Sequence, residues 1–169
     1  MRYLAKTALV LALLLLVSGC DSRLEQTDGG GVLLSVSDFD GLPTVVSVSA
    51  ARADGLVTIQ SVTIESIPRD IDGETSDLMN VEMKSYEVTF TRGDGGTRVP
   101  PPMVRNIFGV TPVGGNQVYD NLPILLSDQL ETVPLSDLFL QNGGFDKETD
   151  RTSIILNLQL RFFGRSVSG

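Results

Sequence analysis

The chain of 169 residues contains no histidine and no tryptophan, and its one cysteine is Cys20. Without histidine there is no Ser-His-Asp or Cys-His nucleophile system and no histidine-ligated zinc, copper or haem. With one cysteine there is no internal disulfide, so packing alone must hold the fold. Lysine is nearly as scarce: beyond Lys6 the sequence has only Lys84 and Lys147, which leaves few ways to build a Ser-Lys pair. Three Tyr and seven Phe make a thin aromatic supply for a sugar-stacking platform. Carboxylate chemistry and oxygen-ligated metals are what these absences leave.

What is present begins with MRYLAKTALVLALLLLVSGC. Arg2 and Lys6 form a cationic start, Thr7 to Val17 is an apolar run too short to span a bilayer comfortably, and small residues follow, which is a secretory signal layout. Val17-Ser18-Gly19-Cys20 resembles the lipobox of bacterial lipoproteins. That resemblance implies removal of residues 1–19, a diacylglyceryl thioether on Cys20, and stable anchoring by two or three acyl chains at about 0.8 kcal/mol per buried methylene. Asp21, directly after the cysteine, is similar to the retention signal that keeps enteric lipoproteins in the inner membrane. The expected location is therefore the cell membrane facing the periplasm, with the outer membrane or cell surface as alternatives. An uncleaved anchor or an ordinary signal peptide is the competing reading of the same residues.

Without residues 1–19 the chain has 11 Lys and Arg against 21 Asp and Glu, a net charge near −10. Phosphate backbones and anionic head groups repel such a body, so no nucleic-acid partner is expected and the lipid, not a basic patch, makes the membrane contact. Residues 20–31, the lipidated cysteine followed by DSRLEQTDGGG, read as a flexible tether. Residues 32–169 are a length for one domain with one core.

From Val32 onward, short alternating apolar runs rich in Val, Ile and Thr are separated by Gly, Pro, Asp and Asn, the pattern of strands. Val32, Leu34 and Val36 alternate in a first strand, and Val46, Val48 and Ala50 in a second, closed by a turn at 52–55. Val57 to Ile67 changes its apolar parity between Ile59 and Val62, and Val81 to Arg92 does so near Lys84 or Ser85, where a β-bulge is expected. The GDGG that follows suits a tight hairpin with a short return strand through Arg98. Pro100 to Pro102 then mark an edge or a change of sheet. Further strands are expected around 103–110 and 117–127, and one helical turn over Pro134 to Gln141. In the last strand Ile154, Leu156, Leu158, Leu160 and Phe162 face one way and Asn157, Gln159 and Arg161 the other.

About seven antiparallel strands in this length imply an all-β, immunoglobulin-like Greek-key β-sandwich, with a closed barrel as the alternative. YEVTFTRGDGG in mid-chain and the ending RFFGRSVSG, together with the lipobox and short tether, resemble a group of uncharacterised bacterial lipoproteins with immunoglobulin-like domains. The resemblance implies a fold and a compartment, and carries no activity or site.

Three features invite chemistry. Asp70, Asp72, Glu74 and Asp77 lie within eight residues and offer oxygen ligands for Ca²⁺, although Thr75 and Val81 stand where an EF-hand loop needs Gly and Glu. A solvated acidic loop is the plainer account of them. Arg92-Gly93-Asp94 resembles an integrin-binding tripeptide and is expected exposed at a hairpin tip, where a tight turn needs the same residues. The wet row Asn157, Gln159 and Arg161 and the segment Pro100 to Pro102 are candidate partner surfaces, because a sheet edge recruits extended segments through its backbone. Ordinary protection of an edge against aggregation by Pro and charge is the plainer account of them. The expected function is a lipid-anchored binding or structural module of the cell envelope with no catalytic activity. Its expected partners are the membrane, through the lipid, and another envelope protein. A Ca²⁺-dependent binding module built on the acidic loop is the alternative, and a carboxylate-based hydrolase a distant third.

Overall fold

Alternation of apolar and polar residues produces six strands: β1 (Val32–Asp40), β2 (Leu56–Pro68), β3 (Val81–Arg92), β4 (Met103–Thr111), β5 (Asn116–Leu126) and β6 (Leu156–Ser166). The computed structural model describes residues 31–43 and 45–168. Cys20 and Asp21, the expected lipidation and sorting residues, lie outside the described residues. Every ladder is antiparallel, and the strands form two sheets of three, ordered β1-β2-β5 and β4-β3-β6, which pack together as an all-β sandwich.

The chain path follows a Greek key. β3, β4 and β5 follow one another by direct connections, the last crossing between sheets over 112–115, and β5 returns to pair with β2. The core is made by the inward rows: Ile59, Val62 and Ile64 of β2, Met83, Tyr86 and Val88 of β3, each at most 2% exposed. Each such apolar side chain contributes about 1.5–3 kcal/mol by leaving water.

The bulge expected near Lys84 or Ser85 is present, because both ladders of β3 shift register between Met83 and Ser85. The extra residue carries Met83 and Tyr86, three apart in sequence, to the same interior. In β2, Ile59 and Val62 are also both buried with Gln60 and Ser61 between them, but the ladder to β5 keeps its register there (Ile59 opposite Leu122, Val62 opposite Tyr119), so this parity change is not a bulge. Leu156, Leu158, Leu160 and Phe162 face inward in β6 and Asn157, Gln159 and Arg161 are exposed, as alternation required.

Three expectations fail. The strand expected over 46–50 is replaced by a helix, α1 (Val48–Asp54), so the described residues hold six strands and not about seven. Ala50, Ala51 and Arg52 are good helix formers, and Gly55 at φ 78° ends the helix in the left-handed conformation that glycine accepts, its N–H bonded to the Ala51 carbonyl. Two period-2 repeats of Val and Ser are too short to outweigh that. The return strand through Arg98 is also absent: residues 93–102 form an irregular loop, and the next strand starts at Met103, directly after the prolines. Of the two readings of Pro100 to Pro102, the edge holds and the sheet change does not: they lead directly into β4, an edge strand of the same sheet as β3. The third failure, the exposed tripeptide, belongs to the site below.

The helical turn expected at Pro134 to Gln141 is realised as two 3-10 turns, Leu135–Leu138 and Leu140–Asn142. With α1 and a one-turn helix, α2 (Ser127–Leu130), they cover one end of the sandwich. Buried Gln129 fixes that end: its side chain accepts from the Leu126 N–H at 3.0 Å and donates to the Pro101 carbonyl at 2.6 Å.

Candidate functional site

The two sheets are not closed equally on both sides. β4 and β5 are joined by the short connection at 112–115, whereas no ladder joins β1 to β6. Opposite Ile64 and Val62 of β2 stand Val36 and Phe39 of β1, so these point inward, yet they are 48% and 55% exposed. Across the gap, Leu156, Leu158, Leu160 and Phe162 of β6 are only half buried. The seam opens into a cavity of about 1060 Å³ that reaches core residues of both sheets, including Ile59, Val62, Phe90 and Ile124. Among the described residues, Ser47, Ser49, Thr152, Ser153 and Asn157 are the polar members of its lining and none of the lining residues is charged. Apolar walls with a few neutral polar groups are the usual composition of a binding cleft.

The β6 wall is held by a charged network at its upper end. Arg92, the last residue of β3, meets Asp94 through two parallel hydrogen bonds, Nε to Oδ1 at 2.7 Å and Nη2 to Oδ2 at 3.0 Å. Its Nη2 also reaches Asp146 Oδ2 at 2.7 Å, and its Nη1 the Arg98 carbonyl at 3.1 Å. The side chains of Arg92, Asp94 and Asp146 are 1%, 0% and 0% exposed. Asp94 in turn accepts from the Ile155 N–H at 3.0 Å, and the Gly93 N–H donates to the Ile155 carbonyl at 2.9 Å. The residue before β6 is thus clamped to the end of β3. Glu148 completes the network by accepting from the Thr97 and Arg98 N–H groups at 2.7 and 3.0 Å.

This overturns the reading of Arg92-Gly93-Asp94 as an exposed adhesion tripeptide. The arginine and the aspartate satisfy each other inside the protein, and no outside partner reaches them. A tight-turn interpretation of GDGG missed this because the partners, Asp146 and Glu148, come from a loop about fifty residues away. Gly96 is needed for a different reason than a turn: a Cβ there would lie 2.4 Å from the guanidinium carbon of Arg92.

The electrostatics follow from the bonding. The Arg92 hydrogen bonds, then the Ile155 N–H, hold the Asp94 carboxyl far below the ordinary range. Burial pushes Asp146 up, but the bonds from Arg92, Thr149 and the Glu148 N–H outweigh it and the net direction is down. The Thr97 hydroxyl, followed by the Arg98 and Thr97 N–H groups, brings Glu148 to about 2. Bonding to Asp94 raises Arg92. All three acids are held ionised, the opposite of a carboxyl tuned to donate a proton.

The remaining candidates do not converge. Asp70, Asp72, Glu74 and Asp77 are exposed along a bend between β2 and β3, with Asp70 Oδ1 accepting from the Asp72 N–H at 3.2 Å. Among the described residues no group of three or more acidic or cysteine side chains is arranged to hold a metal ion. Asn157, Gln159 and Arg161 line the outer face of the free β6 edge. Gln159 Oε1 accepts from Thr89 at 3.3 Å, and Arg161 lies 3.4 Å from Glu87 and over the Phe163 ring at 5.5 Å. Among the described residues no helix is long and apolar enough to cross a membrane. Comparison with protein-family models, with curated proteins and with solved structures returns no match to this chain.

Proposed function

We propose that the protein is a lipid-anchored binding module of the cell envelope, without catalytic activity, whose open β1/β6 seam takes up an extended segment of another envelope protein. The observation that carries this reading is the seam. Its inward apolar rows, Val36 and Phe39 on one side and Leu156 to Phe162 on the other, are left partly covered between two strand edges that have no further ladder partner among the described residues. A free edge offers a row of backbone donors and acceptors, and an added strand satisfies them while its alternate side chains fill the cleft. The signal layout ending at Cys20 supports anchoring, and the acidic balance of the rest of the chain supports a body that stands off anionic lipid.

The non-catalytic reading draws support from the same geometry. The most enclosed carboxylates, Asp94 and Asp146, are consumed by Arg92 and held ionised, so neither supplies the raised-pKa acid a glycoside hydrolase requires.

Two measurements on the full chain in its native cells test this reading. Metabolic labelling with an alkyne-bearing fatty acid is expected to mark the protein and to be lost in Cys20→Ser; unchanged labelling removes the anchor. A photo-crosslinking amino acid at position 160, in the cleft, is expected to capture a protein segment of alternating apolar residues. The same group at position 108, on the far edge of the β4-β3-β6 sheet, is not. Equal capture at both positions sinks the seam as the binding element.

A further inference from the structure

The two walls of the seam differ in charge, and the difference selects the occupant. The outward row of β6 carries Asn157, Gln159, Arg161, Phe163 and Arg165 and no carboxylate of its own, with Arg161 and Arg165 facing Glu87 and Glu82 of β3. The outward row at the upper end of β1 carries Asp38 and Asp40, placed by their pairing with Thr63 and Ser61, and no cation. A strand bearing carboxylates on its outer face is attracted to β6 and repelled by β1. Arg161 lies on β6 between the lining residues Leu160 and Phe162. Its side chain is 60% exposed and its one ion pair, to Glu87, is 3.4 Å long, so guanidinium donors remain for an acceptor on the next strand.

We infer that the segment bound by the seam is a strand laid antiparallel on β6, with large apolar residues inward and a carboxylate outward opposite Arg161. The inference rests on the reading of the seam as a strand acceptor and adds the chemistry and direction of its partner. Antiparallel pairing repeats what β6 already does with β3 and is the stabler ladder per residue. Leu158, Leu160 and Phe162 recur every second residue, so the occupant must present apolar side chains at the same spacing. The uncharged lining excludes a charge on that inner row. The inward row from Leu156 to Phe162 spans about 20 Å, which sets the segment at roughly six or seven residues. A second copy of the chain fits poorly, since each chain carries a net charge of −8.

The test uses the full chain in phosphatidylcholine nanodiscs and three fluorescent, end-capped heptapeptides read by anisotropy. The first alternates Leu with Thr and has Glu as its central outward residue. The second has Lys in that place, and the third has the composition of the first with its Leu residues contiguous. The expected result is binding of the first peptide over the second by a few fold, up to about fivefold for a cross-strand ion pair. In Arg161→Glu the order of the first two is expected to reverse, and the third peptide binds neither protein. Equal binding of the Glu and Lys peptides, with the third still excluded, overturns this inference and leaves the strand-accepting seam standing. Failure of the alternating peptides to exceed the third overturns the seam reading itself. So does uptake of a fluorescent acyl probe that the peptides do not displace, or a dimer in sedimentation that they do not disperse.

Discussion

Tyr86, on β3, donates its phenolic hydrogen to the carbonyl oxygen of Pro123, on β5, at 2.8 Å, and so ties the two sheets together across the core. Pro123 has no N–H to give a neighbour, and it sits on an edge strand where that loss is tolerated. Phe162 of β6 stacks near both Tyr86 and Tyr119, with ring centroids 6.1 and 6.5 Å away, which brings the innermost part of the β6 wall under the same tie. Tyr86→Phe removes one buried hydrogen bond without changing shape. It is expected to cost about 0.5–1.5 kcal/mol in denaturant unfolding, with an unchanged m-value. A loss indistinguishable from zero shows that the sheets are held by apolar packing alone.

Removing Arg92 is expected to be far more damaging. Arg92→Met keeps the length of the side chain but strands Asp94 and Asp146 without their counter-charge, and it frees Ile155 from the end of β3. The melting temperature of Arg92→Met should fall well below that of Tyr86→Phe. Gly96→Ala should move the same way by crowding the guanidinium. If Arg92→Met melts with the parent, the network does not hold the upper end of the domain.

The same network fixes the direction of the pH response. Asp94, Asp146 and Glu148 bind protons less readily in the folded chain than in the unfolded one, where carboxyls titrate near about 4. Their contribution is therefore complete at neutral pH, begins to fall as pH drops below about 5, and for Glu148 is exhausted only past about 2. Chemical unfolding followed from pH 7 to pH 2 should lose stability monotonically on this limb. Glu148→Gln should flatten the limb, and a parallel limb in the variant assigns the acid response to other carboxyls.

Thr111 carries the opposite expectation. Its hydroxyl is buried with no hydrogen-bond partner among the described residues, so Thr111→Val exchanges an unsatisfied polar group for a methyl of similar size. Thermal unfolding should show a neutral or raised melting temperature. A clear drop reveals a hydrogen bond to water at that site.

The open seam predicts an inequality between apolar truncations. Leu158→Ala removes a side chain that is only partly buried and should cost less than Ile59→Ala, which at 1% exposure should fall in the roughly 2–5 kcal/mol range of a truncation in a closed core. Equal costs mean that the seam is closed in solution.

Much of this architecture was legible because it is periodic. The bulge at Met83/Ser85 and the inward row of β6 are parity statements, and parity is a property of the sequence itself. α1 was misread because Val46 to Ala50 is as compatible with two turns of strand as with a helix start, and the deciding residues, Ala51 and Gly55, follow it. The Arg92 network was invisible because it depends on which distant loop returns to the end of β3. Nor did the cleft announce itself: the residues of its walls read as ordinary core, and Val36 and Phe39 are left exposed on an edge strand that no ladder joins to β6.

β1 starts, and β6 finishes, at the end of the sandwich where the connection over 112–115 lies, so the two strands flanking the gap run in opposite directions. Taken around the ring as β1, β2, β5, β4, β3 and β6, neighbours alternate in direction without exception. A vacancy between opposed strands has even parity: two strands complete it with antiparallel partners on both sides, and one strand never does. A lone segment running antiparallel to β6 is parallel to β1, and meets β1 only through the less stable parallel ladder. If the seam takes such a segment, amide exchange is expected to slow more along β6 than along β1.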